Sequence, residues 1–185
     1  KRAGRDRCQF FDDSLQALVD ERFQLERDLR KGIPAELLLM YQKQVDNHGQ
    51  VLGAELLVRW KHPVQGLVSP AKFIPLAEET GLILALGRWV LETACLQIAA
   101  WAANGTPLRV AVNMSAQQFR QRDLPEKVTQ VLQRTGASAQ SLLIEITESA
   151  AMAQPEHARD QLNALVSLGC SVALDDFGTG YSSLS

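Results

Sequence analysis

The sequence has 185 residues, a formal net charge of −2, and 46% hydrophobic against 22% charged residues. This length and composition are typical of a globular domain with its own core, and the lack of a basic excess argues against binding to a nucleic acid polymer. The longest apolar stretch, residues 81–103, contains Arg88, Glu92 and Gln97. It therefore predicts a core helix and no membrane segment, since a membrane span needs about 20 nearly uninterrupted apolar residues.

The first predicted element is a helix over residues 12–31. Four leucines form its apolar stripe: Leu15, Leu18, Leu25 and Leu29. Arg22 interrupts the stripe, which is only about two heptads long, so a solvated connector helix is favoured over a dimerising coiled coil. Gly32 and Pro34 end the helix.

Strands and helices alternate from residue 37 onward. Strands are predicted at 37–45, 50–60, 108–113, 142–147 and 171–175, and helices at 70–79, 82–103, 124–135 and 155–168. The short turn at 46–49 makes the first two strands antiparallel, whereas the later alternation is typical of a parallel sheet covered on both faces. Five strands fit either an open doubly wound sheet or part of an eight-stranded barrel.

Polar residues interrupt the apolar strands, mostly toward their ends. They are Glu55, Asn113, Glu145, Asp175 and Asp176. Carboxylates that converge at one edge of a sheet repel each other, and a divalent cation removes that repulsion. Oxygen ligands without His or Cys favour Mg²⁺ or Mn²⁺, and adjacent aspartates allow one carboxylate to bridge two ions, an arrangement suited to displacement at phosphorus.

Each of these residues also has a purely structural interpretation. Glu55 lies four residues before Arg59 and could form an ion pair with it. Asn113 could cap the turn before Ala116, and Asp176 could belong to a glycine-rich turn. Their joint occurrence at successive strands favours the metal site.

The residues from 37 to 185 resemble an EAL domain. The signature is Glu55-Leu56-Leu57, followed by Val58-Arg59-Trp60, and further motifs match at 73–78, 81–83, 112–115, 145–149 and 175–184. The resemblance implies an α/β fold, a TIM-like (β/α)8 barrel with an antiparallel first strand, of which this chain supplies about five of eight strands. It also implies a phosphodiesterase that hydrolyses the bacterial second messenger cyclic di-GMP to linear pGpG.

The resemblance also implies the roles of the site residues. The metal ligands for two Mg²⁺ or Mn²⁺ ions are Glu55, Asn113, Glu145, Asp175 and Asp176, of which Glu55, Asp175 and Asp176 are the catalytic residues. The substrate is bound by Arg59, at a phosphate, and by Gln42. Glu148 braces the loop after the fourth strand, which in this family couples metal binding to dimerisation, so a homodimer is expected.

Residues 1–11 resemble the end of a GGDEF domain. The expected organisation is therefore a GGDEF tail at 1–11, a connector helix at 12–31, and the N-terminal two-thirds of an EAL domain at 32–185. Cys95 and Cys170 lie in apolar runs and are expected to be buried thiols, which suits a cytoplasmic protein whose membrane anchor, if it has one, lies upstream.

Leu56 replaces the middle alanine of the signature, a minor hydrophobic change that keeps Glu55 in place, whereas Lys43 replaces a proline and is expected to alter the rim of the pocket. The family's lysine after the fifth strand, later glutamate and late glutamine all fall beyond Ser185, so the 185 residues alone are expected to be inactive. Two alternatives to the enzyme stay open: a catalytically inactive EAL domain that binds cyclic di-GMP as a receptor, and an interaction module that binds no nucleotide.

Overall fold

The computed structural model describes residues 13–175, with side chains from Gln16 onward. The strands of this part are β1 (Leu37–Val45), β2 (Val51–His62), β3 (Gly66–Val68), β4 (Arg109–Met114), β5 (Leu142–Thr147) and β6 (Ser171–Asp175). The helices are α1 (Asp13–Gly32), α2 (Pro70–Glu79), α3 (Ile83–Ala103), α4 (Ala116–Phe119), α5 (Leu124–Thr135), α6 (Glu148–Met152) and α7 (Pro155–Ser167).

A single mixed sheet runs through the described residues in the order β1-β2-β4-β5-β6, with β3 paired to β2. β1 is antiparallel to β2, and β2, β4, β5 and β6 are mutually parallel. Both the antiparallel first pair and the parallel remainder were predicted. β1 and β6 lie at the two edges of this sheet.

The predicted elements agree with the observed ones to within one or two residues at each end. Four short elements were not predicted: β3, α4, α6 and a 3-10 helix at Ala139–Ser141. Each has five residues or fewer, which is less than the span over which a hydrophobic period can be recognised.

One face of the sheet packs against the helices and forms the core. Fully buried residues on this face include Trp60, Ile144 and Ile146, and Phe73 of α2 and Ile98 of α3 cover it. Trp60 also makes an edge-to-face contact with Phe73, with ring centroids 5.8 Å apart. The burial of Trp60 agrees with a structural role and not with stacking on a ligand.

α3 is the one helix of the described residues that is long and apolar enough to cross a membrane by length and composition. Its buried side chains include Leu86, Val90, Ala94 and Cys95, which belong to the core of the domain. This placement is the one predicted for residues 82–103. Burial raises the pKa of the Cys95 thiol to about 12, and also raises that of Cys170.

α1 is divided between core and surface. Leu25 and Leu29 are 3% and 0% exposed and join the hydrophobic core, whereas Leu18 and Phe23 are exposed. The C-terminal half of the helix is held by His62, whose Nε2 lies 3.3 Å from Asp28 Oδ2 while its Nδ1 accepts hydrogen bonds from the backbone N–H groups of residues 64 and 65. Because Nδ1 is an acceptor, Nε2 carries a proton and donates a hydrogen bond to Asp28 Oδ2.

Candidate active site at the carboxyl ends of the strands

The register of the sheet brings four predicted site residues to one face. Along a strand, side chains two residues apart point to the same side. Glu55 pairs with Ala111, two residues before Asn113, and Asn113 pairs with Glu145. Glu145 in turn pairs with Ala173, two residues before Asp175. Glu55, Asn113, Glu145 and Asp175 therefore share the face opposite to the helix-packed core, toward the carboxyl ends of parallel strands.

Asn113 and Glu55 are in direct contact. The Asn113 Nδ2 amide donates a hydrogen bond of 2.8 Å to Glu55 Oε1, although the two residues are 58 positions apart in the chain. Within the described residues Glu55 forms no ion pair with Arg59, and the cap of α4 is Ser115 instead of Asn113. The two structural interpretations of these residues from the sequence are therefore wrong.

Glu145 lies in an unfavourable electrostatic environment. Partial burial raises the pKa of its carboxyl group above the ordinary value, and the negative charges of Glu55 and Asp175 raise it further. This shift indicates that the three carboxylates are close enough to interact. A bound cation would reverse the effect, because it stabilises the ionised form of every carboxylate around it.

The donor chemistry of this cluster fits a hard divalent cation. Three carboxylates and one amide oxygen are ligands that Mg²⁺ and Mn²⁺ accept, and His and Cys take no part. Within residues 13–175, no three His, Cys, Asp or Glu side chains are grouped closely enough to form a metal site on their own. Asp176, the remaining predicted ligand, lies outside the described residues.

The predicted substrate-binding residues lie on β1 and β2, the strand pair that carries Glu55. Arg59 is four residues after Glu55 on the same face of β2, and its Nη1 donates a hydrogen bond of 2.8 Å to the carbonyl oxygen of Val58. Gln42 of β1 is exposed and lies directly opposite Glu55 in the antiparallel register. Glu148 is the first residue of α6, directly after β5.

A cavity of about 260 Å³ opens beside these residues, between the ends of β2, β4 and β5 and helices α2 to α4. Its polar lining includes Arg59, Asn113, Glu145 and Gln118. Its apolar lining includes Ile74 and Met114. An amide, a carboxylate and a guanidinium group thus line one open cavity next to the cluster.

Sequence reasoning missed the structure that follows Asn113. Ser115 and Gln118 form a capping box at the start of α4: the Gln118 N–H donates to Ser115 Oγ, and the Ser115 N–H donates to Gln118 Oε1. The signal was present, because a serine followed three residues later by glutamine is the capping-box pattern. It was not recognised because α4 is only four residues long.

Comparison with solved structures identifies the fold. A solved MucR phosphodiesterase in complex with c-di-GMP superposes with a TM-score of 0.82 at 42% identity, covering 86% of this chain and 66% of that chain. A solved FimX EAL domain of Xanthomonas citri in complex with c-diGMP superposes with a TM-score of 0.79 at 22% identity, covering 89% and 65% of the two chains. The fold is the TIM-like barrel of EAL domains, and the described residues form part of its sheet.

Curated relatives agree with the structural comparison. The chain is 42% identical over 187 residues to the bifunctional diguanylate cyclase/cyclic di-GMP phosphodiesterase MucR of Pseudomonas aeruginosa, and 40% identical over 186 residues to the cyclic di-GMP phosphodiesterase PdeR of Escherichia coli. Both alignments include 100% of this chain but only 27% and 28% of the relatives, so the chain spans about a quarter of their length. The EAL domain family model matches residues 24–185. The chain belongs to the EAL domain family.

Proposed function

We propose that this chain forms most of the metal site of a phosphodiesterase that hydrolyses cyclic di-GMP to linear pGpG. The observation that carries the proposal is the convergence of Glu55, Asn113, Glu145 and Asp175 on one face at the carboxyl ends of parallel strands. In barrels of this class, catalytic groups lie at that end of the sheet. The relatives named as cyclic di-GMP phosphodiesterases make this dinucleotide the substrate to test first.

Two divalent cations, Mg²⁺ or Mn²⁺, are the proposed cofactors. Glu55, Asn113, Glu145 and Asp175 hold one ion, and Asp175 together with Asp176 holds the second. When bound, such a pair supplies an activated water and neutralises charge on the phosphate oxygens. Glu55, Asp175 and Asp176 are therefore the catalytic residues of the proposal.

The remaining residues bind and orient the substrate. One donor of the Arg59 guanidinium is used by the Val58 carbonyl, which leaves the other donors available to a phosphate oxygen. Gln42 is exposed on the strand next to Glu55 and can donate to, or accept from, a nucleobase. In the reaction one phosphodiester P–O bond breaks, the water oxygen becomes bonded to phosphorus, and a water proton passes to the leaving oxygen.

The surrounding protein is proposed to follow the family pattern. Residues 1–11 end a GGDEF domain, residues 12–31 connect the two domains, and residues 32–185 begin the EAL domain. Glu148, at the start of α6, braces the loop after β5, and the assembly is a cytoplasmic homodimer.

The direct test is hydrolysis of cyclic di-GMP by the full-length gene product that contains this chain, with Mg²⁺ or Mn²⁺ present. We expect the wild type to release pGpG, and Glu55→Ala to lose at least about two orders of magnitude in rate because a metal ligand is removed. Glu156→Ala, at an exposed glutamate of α7, is the matched control and should retain wild-type activity.

The same assay separates the two alternatives. Binding of cyclic di-GMP without any turnover would make the protein a receptor domain and would contradict the catalytic assignment. Absence of both binding and turnover would make it an interaction module.

A further inference from the structure

Gly87 is a glycine in the interior of a long helix, where the residue is intrinsically unfavourable. It is the fifth residue of α3, and it is buried. Glycine in a helix interior is less favourable than alanine, so its presence calls for a local reason. The surroundings of Gly87 supply one.

The Gln118 side chain occupies the space that a Cβ atom at position 87 would need. A Cβ built on Gly87 would lie 2.6 Å from Gln118 Oε1, and closer still to Nε2 and Cδ of the same side chain. Contacts under 3.0 Å are not tolerated by real Cβ atoms. The absence of a side chain at Gly87 therefore leaves the space that the Gln118 amide occupies.

That amide is one half of the capping box of α4. Its Oε1 accepts from the Ser115 backbone N–H at 3.2 Å and from Ser115 Oγ at 3.0 Å, and the Gln118 N–H donates back to Ser115 Oγ at 3.3 Å. Ser115 follows Asn113 by two residues, with buried Met114 between them. The box thus fixes the backbone at the point where β4 leaves the sheet, directly after the residue that contacts Glu55.

We infer that Gly87 and Gln118 are positioning residues for Asn113. Gly87 leaves room for Gln118, Gln118 fixes Ser115, and Ser115 fixes the end of β4 so that the Asn113 amide stays beside Glu55 Oε1. This role rests on the proposed function, because it assigns the pair to the orientation of a metal ligand.

Alanine at position 87 tests the arrangement without unfolding the protein. The atoms that meet the new methyl group are the far end of a flexible side chain, and Gln118 lines two cavities, of about 260 and 490 Å³, into which it can turn. The higher helix propensity of alanine opposes the cost of the lost cap. The melting temperature of Gly87→Ala should therefore stay close to that of the wild type.

The first measurement is hydrogen exchange by mass spectrometry in the full-length gene product, without added metal. Gly87→Ala should accelerate exchange in peptides that contain the Ser115 amide, since displacement of the Gln118 side chain removes its acceptor, Gln118 Oε1. Gln130→Ala, at an exposed glutamine of α5 that lines the larger cavity, is the matched control and should leave this exchange unchanged.

The second measurement is Mn²⁺ affinity of the same proteins by isothermal titration calorimetry. Gly87→Ala and Gln118→Ala should each weaken binding about tenfold, the usual cost of losing a residue that orients a metal ligand. The double variant should be no weaker than Gln118→Ala alone, because both changes act through one side chain.

Three results would overturn the inference while leaving the proposed function in place. Unchanged exchange in Gly87→Ala would mean that the capping box does not depend on Gly87, and faster exchange with wild-type Mn²⁺ affinity would mean that the box does not position Asn113. Additive losses of Mn²⁺ affinity in the double variant would mean that Gly87 and Gln118 affect the site independently of each other. A wild-type protein that binds no Mn²⁺ would instead overturn the proposed function and, with it, the positioning role.

Discussion

Asn113 is the neutral member of a cluster of acids, and its neutrality limits the repulsion among them. Its amide donates a hydrogen bond to Glu55 while Glu145 lies beside it in the parallel register. In the proposed metal site, an uncharged oxygen ligand would contribute to metal binding without adding repulsion between carboxylates when the metal is absent. A fourth carboxylate at this position would raise the energy of the metal-free protein.

Asn113→Asp should therefore destabilise the metal-free protein by about 1 kcal/mol, since a hydrogen bond is replaced by repulsion between carboxylates. Urea unfolding in the presence of EDTA measures this difference. Asn163→Asp, at an exposed asparagine of α7, is the control and should change the free energy of unfolding by less than about 0.5 kcal/mol. Equal effects of the two substitutions would contradict the close approach of the acids at the site.

Glu145 gives the metal-free protein a defined pH dependence. Its folded-state pKa is raised above the ordinary value of 4.5, so the folded state retains the proton to higher pH than the unfolded state. The stabilisation from this proton is fully present below the unfolded pKa and is lost as the pH rises through the folded pKa.

Glu145→Gln should remove this dependence, because the amide stays neutral throughout. The variant should be more stable than the wild type near pH 7 by up to about 1 kcal/mol, and the difference should shrink as the pH falls toward about 4. Urea unfolding of both proteins with EDTA at a series of pH values tests the prediction. A difference in unfolding free energy that does not vary with pH would show that folding does not raise the pKa of Glu145.

At the scale of elements, α1 carries two different surfaces on one helix. The sequence predicted a solvated connector, and the exposed Leu18 and Phe23 fit that prediction. Leu25 and Leu29 do not, because they are buried in the core beside the sheet. Ion pairs of Glu21 with Lys72 and of Arg22 with Glu79 also join this helix to α2.

Leu29→Ala should cost about 2–5 kcal/mol of unfolding free energy, the usual range for truncating a fully buried leucine. Leu18→Ala, in the same helix but 63% exposed, should cost less than about 0.5 kcal/mol. Chemical denaturation of both variants measures these two losses of unfolding free energy. Similar small costs at the two positions would mean that α1 is a connector over its whole length and is not part of the domain.

At the scale of the whole molecule, metal binding should be coupled to global stability. The proposed ligands come from β2, β4, β5 and β6, so the ions bind only when the sheet is assembled. At a free Mn²⁺ concentration 100-fold above the Kd, the free energy of unfolding should rise by about 2.7 kcal/mol. Thermal unfolding with and without Mn²⁺ measures the rise, which Glu55→Gln should largely abolish and Glu156→Gln should leave intact. Equal stabilisation of these two variants would indicate that Mn²⁺ binds elsewhere.

The order and type of the main elements and the identity of the family can be read from the amino-acid sequence alone. Apolar strands between helices can be recognised locally, because the side-chain periods of strands and helices differ. The turn at residues 46–49 predicted the antiparallel first pair, which the register of β1 and β2 confirms. The acids were conspicuous because ionisable groups rarely interrupt buried strands.

Which of these residues come into contact depends on the three-dimensional packing of the elements. Asn113 and Glu55 are 58 positions apart, and their hydrogen bond depends on the pairing of β2 with β4, which no local pattern encodes. The packing of Gln118 against Gly87 and the hydrogen bond between His62 and Asp28 also join elements that are distant in the sequence. Such contacts depend on close packing between elements, where a single methyl group decides what fits, whereas sequence patterns report only which faces are apolar.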